Sequence, residues 1–155
     1  MSVGKLFGLT VLALGLVLGP TGPGVAAEPH GHAAVELKLN NGNKWHTDDA
    51  LRRGMAEIRN AIAGSLTPIH NNTFSPASYD ALAARVQTQI DYVVANCKLS
   101  EEADQQLHLV LEQMLDGINE MKASGPRQQG AIKIVRALDA YGKHFNHAGW
   151  QPLGH

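Results

Sequence analysis

Four stretches of this chain carry apolar residues at spacings of three and four, and each lies between a helix-starting cap and a break. That pattern leaves few folds open. In the first stretch Leu51, Met55, Ile58 and Ile62 form one stripe. Thr47 stands ahead of it as the expected N-cap, with Asp48 and Asp49 suited to the positive helix end. This helix is expected to stop near Leu66, before Pro68, with Ile69 to Thr73 as loop. The second stretch opens with Ser75-Pro76, a cap followed by a proline where no amide partner is needed. Tyr79, Leu82, Val86, Ile90, Val93 and Cys97 share its face. The third opens at Ser100, with Glu101 and Glu102 in its first turn. Its stripe is Leu107, Leu111, Met114, Ile118 and Met121, and Ser124-Gly125-Pro126 ends it. The fourth runs from about Arg127 to about His147, with Ile134, Leu138, Tyr141 and Phe145 as its face. Short links force sequential helices to lie antiparallel. The expected fold is all-α, an antiparallel up-down-up-down four-helix bundle over residues 47–150.

The bundle does not begin at residue 1. Lys5 is followed by a mostly apolar run, Leu6 to Leu18, then by Gly19-Pro20 and the small residues Val25-Ala26-Ala27. This is the pattern of a cleaved signal peptide, expected over residues 1–27 with the cut after Ala27. The run is too short for a membrane span, which needs about 20 residues. No cysteine follows the leader to carry a lipid. Residues 28–46 are expected as an extended arm: His30 and His32 sit in a polar start, Val35, Leu37 and Leu39 alternate with Glu36 and Lys38, and Asn40-Asn41-Gly42-Asn43 makes a turn. Residues 151–155 form a tail. The expected location is the periplasm, with no membrane attachment after cleavage.

The whole chain carries a net charge of −1 and the leader's only charge is Lys5, so the mature chain carries −2. No basic stripe appears, which excludes nucleic acid as an expected partner. An oxidising compartment favours disulfides, yet Cys97 is the single cysteine. Its thiol therefore pairs between chains, stays buried, or binds something.

The expected topology gathers polar residues. If the first helix starts at one end, the second ends there, the third starts there and the fourth ends there. His46, Cys97, His108, His144 and His147 all fall near that end, whereas His70 belongs to the other. At about 1.5 Å per residue, Cys97 and His144 lie low, and His108 and Met55 lie about 12 Å up. Side chains lean toward the N-terminus of their own helix, so the two levels lean toward each other. Asp104, one turn before His108, is placed to orient its ring. A thiol, imidazoles and a thioether form a soft donor set that suits copper, and less selectively zinc or haem iron. Each residue also has a plain role: Met55 and Cys97 as core, His108 as a boundary residue, and His144 and His147 as complements to a helix C-terminus.

The segments "ANCKL" (95–99), "ADQQLH" (103–108), "YGKHFNHAGW" (141–150) and "KWHTDDALRRGM" (44–55) resemble a family of small exported proteobacterial proteins, some labelled DnrO. The resemblance supports the helical architecture and implies no established activity. The bundle is also similar to cytochrome c-prime and b-type cytochromes. Cys97 is followed by Lys98, Leu99 and Ser100, so the motif for covalent haem is missing; non-covalent haem would use Met55 and His144.

Three functions follow as expectations. The first is a periplasmic metal-binding protein, a copper carrier, sensor or buffer, using Cys97, His108, His144, His147, Met55 and His46, with Asp104 behind them. The second is a non-covalent haem bundle. The third is a cofactor-free protein that meets a periplasmic partner or forms a homodimer. No nucleophile, base and orienting group stand at catalytic spacing, so an enzyme is not expected.

Overall fold

The computed structural model describes residues 36–154. The leader, its cleavage site, Val35 and the histidines at 30, 32 and 155 lie outside the described residues. The described chain is all-α. Its helices are α1 (Asp49–Ala63), α2 (Leu66–His70), α3 (Pro76–Asn96), α4 (Glu101–Lys122) and α5 (Arg127–His144). Among the described residues, extended pairing is limited to two isolated bridges, Asn40 with Asn43 and Trp45 with Phe145.

Two of the three named caps stand where they were expected. The Ser75 side chain accepts from the Ser78 amide, and that of Ser100 accepts from Ala103. At α1 the cap is Asp48 rather than Thr47, and its carboxylate accepts from the Leu51 amide. Thr47 is drawn elsewhere: its hydroxyl donates to the Asn146 carbonyl at 2.6 Å. Helix α1 ends at Ala63, short of the expected stop near Leu66, and the short helix α2 begins at Leu66 and runs into the expected loop as far as His70. Pro68 is its third residue, where a first-turn position needs no amide donor. The fourth helix ends at His144 instead of His147, because Phe145 turns extended and pairs with Trp45.

The stripes read from the sequence are the core. Leu51, Met55, Ile58 and Ile62 of α1 are fully buried, as are Val86, Val93, Met114, Met121, Ile134 and Tyr141. Each buried side chain of this size stabilises by about 1.5–3 kcal/mol relative to exposure. Helix α1 packs on α3, α3 on α4, α4 on α5, and α1 on α5, the last being the slightest of these contacts.

Two close approaches hold helices at short range. A Cβ on Gly130 would lie 2.4 Å from the Gly117 carbonyl oxygen, and one on Gly117 would lie 2.6 Å from that of Gly130. Here the backbones of α4 and α5 touch directly. At Gly54 of α1, a Cβ would meet a Val93 methyl of α3 at 2.3 Å. The turn ahead of α1 has positive φ at Asn41 (49°) and Gly42 (85°). That pair of left-handed residues lets a two-residue turn close tightly.

Candidate functional site

The end of the molecule where α1 starts and α5 stops is closed by backbone. The Trp45 amide donates to the His144 carbonyl at 2.8 Å, and the Asn146 amide donates to the Trp45 carbonyl at 2.8 Å. Lys44 Nζ donates to the Gly142 carbonyl at 2.6 Å. A cation is thereby set against the negative C-terminal end of α5. These contacts form a clasp between the arm and the last turn of α5.

Asp48 joins this clasp to the α3–α4 junction. One carboxylate oxygen caps α1, and the other accepts from the Lys98 amide at 2.5 Å. Lys98 follows Cys97, the C-cap of α3, whose own amide donates to the Val93 carbonyl. One carboxylate thus ties the start of α1 to the end of α3. Sequence reading placed Asp48 only as a favourable charge. Its second role depends on a contact across 50 residues that no local pattern reveals.

Cys97 is half-buried against the core. Burial raises its thiol pKa, and the charges of Asp48 and Asp104 raise it further, outweighing its backbone hydrogen bond. The thiol is held away from the nucleophilic thiolate form. Asp104 reaches His108 as well: His108 Nδ1 donates to the Asp104 carbonyl at 2.8 Å, with the carboxylate 3.4 Å away. The shorter contact is to the backbone of Asp104, the ordinary bond of a helical histidine to the carbonyl one turn back, and not to its carboxylate. The His108 side chain is 62% exposed, so it stands outside the core edge.

The remaining candidates lie on or near α5 and α1. His144 Nδ1 donates to the Ala140 carbonyl at 2.7 Å, one turn back on its own helix. His147 packs in an aromatic group. Tyr141 stacks on Phe145 with ring centroids 5.1 Å apart, and Trp150 lies 4.9 Å from Tyr141 and 5.0 Å from His147. The Trp150 indole covers Gly142, where a Cβ would come within 2.4 Å of its Nε1. Only a glycine lets the ring lie this close to α5.

Burial, and then the positive charge of Arg52, push the His147 pKa down. Burial, and then Asp48, push the Tyr141 pKa up, against Arg52. A protonated tyrosine and a neutral imidazole suit one another, and the Tyr141 hydroxyl shares a hydrogen bond with His147 Nδ1 at 3.0 Å. Met55 is fully enclosed in the core, and His46 is exposed between Trp45 and Thr47. Among the described residues, no three of His, Cys, Asp and Glu stand together in the arrangement of a preformed metal site.

The end is therefore two neighbourhoods. At the α3–α4 junction the charges of Asp48 and Asp104 act on Cys97, while His108 contacts Asp104 alone among these; Tyr141, His147, Trp150 and Arg52 gather at the end of α5. Asp48 acts electrostatically on both Cys97 and Tyr141. Arg52 anchors the second neighbourhood by donating to the Thr47 carbonyl at 2.5 Å. Comparison of the chain with protein-family models, curated proteins and solved structures finds no match.

Proposed function

We propose that this protein is an exported, periplasmic helical binding protein whose working surface is built by its own side chains rather than by a resident cofactor. One observation carries this reading: polar residues at this end of the protein already have partners within the chain. His147 shares a hydrogen bond with the Tyr141 hydroxyl, His144 is bonded to its own helix, and Asp48 is divided between two helix ends. Met55 is core. The long helices are read as an antiparallel up-down-up-down bundle, a reading supported by the ring of contacts α1–α3–α4–α5–α1. The resemblance to DnrO-labelled exported proteins belongs to the same proposal.

A second reading is capture of a soft metal ion, copper first and zinc next, by Cys97 and His108. It is favoured by the His108 ring. With Nδ1 donating to a carbonyl, the lone pair sits on Nε2 of an exposed ring. Carboxylates of Asp48 and Asp104 would hold a cation near the Cys97 sulfur. Copper(I) accepts few, soft ligands, so such a site would be completed by the incoming metal or by its donor protein.

The deciding experiment is metal analysis by mass spectrometry of protein purified from its own periplasm, with Cys97→Ala and His108→Ala controls. The cofactor-free reading expects no stoichiometric copper or zinc, and no Soret band on haem addition. Stoichiometric copper or zinc that both variants lose would overturn it in favour of metal capture. A Soret band lost in His144→Ala would overturn it in favour of haem.

A further inference from the structure

A cleft of about 390 Å³ opens between α2 and the first half of α5. It lies beyond the C-terminal end of α1, so the length of that helix, about 22 Å, separates it from the clasp. The cleft is at the small end of the range for ligand pockets, roughly 300–1,000 Å³. Its walls are Leu66, Ile69, Ile132 and Val135, and Arg136 and His70 stand exposed at its edge. The described lining contains no carboxylate.

The C-terminal tail shapes this cleft. From Trp150 at the clasp, the tail passes Arg59, whose Nε donates to the Gln151 carbonyl. Leu153 is then buried in the core, and Gly154 becomes part of the cleft wall. The tail accompanies α1 and α5, which touch one another less than α4 and α5 do. The cleft is thus a shaped hollow, with walls from a short helix, a long helix and the tail.

The charges select the ligand. Two nearby cations are matched: Arg127, at the start of α5, pairs with Asp80 at 2.6 Å, and Lys133 of the same helix with Glu120 at 2.6 Å. Arg136 and His70 make no hydrogen bond or ion pair with any described residue. An unmatched guanidinium beside an apolar hollow fits a ligand with an apolar chain and one anionic end. The geometry points to a binding site for a single-chain carboxylate amphiphile, a free fatty acid in monomeric form, with its chain in the cleft and its carboxylate on Arg136. The volume suits one chain and is small for a two-chain lipid. A guanidinium receives a carboxylate through two parallel N–H donors, which fixes the head while the chain slides into register.

The site lies apart from the clasp, so it stands or falls independently of the metal question. The test is calorimetric titration of the mature protein with sodium decanoate below its micelle concentration, against decan-1-ol and decyltrimethylammonium bromide. The proposal expects one decanoate per chain, weaker decanol binding and no binding of the cation. Arg136→Gln should weaken decanoate roughly fivefold, the upper range for an exposed ion pair, and leave decanol unchanged. Val135→Trp should fill the hollow and abolish both, with circular dichroism confirming an intact fold. A second filling variant, Ile132→Phe, serves if Val135→Trp does not fold. No decanoate binding, equal affinity for decanoate and the cation, or binding insensitive to both Arg136→Gln and cleft filling would overturn the proposal.

Discussion

Replacing Asp48 with alanine tests whether one carboxylate joins two helix ends. The substitution removes the N-cap of α1 and the acceptor for the Lys98 amide. Loss of a cap costs about 1 kcal/mol. Loss of a hydrogen bond to a charged group costs about 1.5 kcal/mol at the low end of its range, appropriate for a partly exposed junction. The sum is about 2.5 kcal/mol. For a domain of this size each kcal/mol moves the melting temperature by about 4 °C, so Asp48→Ala should melt about 10 °C below the parent. Ser100→Ala is the control. It removes one cap, the bond to the Ala103 amide, and should cost about 1 kcal/mol. Asp48→Asn keeps one acceptor oxygen and should fall between the two. The assay is thermal unfolding followed by circular dichroism at pH 7, with urea unfolding to convert midpoints into free energies. If Asp48→Ala loses no more than Ser100→Ala, the Lys98 contact contributes nothing and the junction is held by packing alone.

The close helix approach gives a second prediction: Gly130→Ala should cost more than about 3 kcal/mol or prevent folding, because its Cβ would press on backbone atoms that cannot yield. Gly125→Ala, which meets nothing within 4 Å, should be close to neutral in the same urea titration. A third concerns pH. The folded state lowers the His147 pKa below its ordinary 6.5, so the native protein binds fewer protons than the unfolded chain. Its contribution is fully present above pH 6.5 and is lost as pH falls through the folded value. Melting temperature should decline between pH 7 and pH 5, and His147→Gln should flatten part of that slope. A fourth concerns Cys97. Asp104→Asn removes a charge that raises the thiol pKa, so the pH midpoint for reaction with a disulfide reagent should shift down.

The apolar stripes were legible because helix period and burial carry the same signal. Of the nineteen positions named as helix faces, eighteen are buried and Cys97 is half-buried, and Leu51, Met55, Ile58 and Ile62 are buried together as their spacing required. The helix ends were less legible. Thr47 and Asp48 are both good caps, and only the Asn146 carbonyl, which draws the Thr47 hydroxyl away, decides between them. The short α2 was missed because five residues cannot show a helical period, and Pro68 reads as a stop although it fits a first turn. Gathering of Cys97, His144 and His147 near one end followed from connectivity. The bonds around them did not, because Tyr141 to His147 depends on the path of the chain after α5, and Asp48 to the Lys98 amide beside Cys97 on a contact between distant segments.

A helix end attracts polar side chains for a reason that has nothing to do with ligands. The first amides and last carbonyls of each helix have no partner within it. Where helix ends share one end of a small protein, those unpaired groups concentrate there. Here the partners are visible one by one: Ser100 and Asp48 receive amides, while Lys44 and Trp45 reach the carbonyls of Gly142 and His144. His108 and His144 each donate to a carbonyl one turn back. A set of histidines collected by topology is therefore expected in a structural clasp as much as in a metal site. What separates the two is the free nitrogen. A ring tied through Nδ1 to a carbonyl completes a backbone bond and still keeps an acceptor at Nε2, so the bond His108 makes within α4 leaves it chemically able to meet a metal. The cleft beside Arg136 differs in kind, because its guanidinium completes no bond within the described chain. An exposed guanidinium beside an apolar hollow keeps its donors for a ligand or for water, whereas the polar residues of the clasp use theirs on the chain.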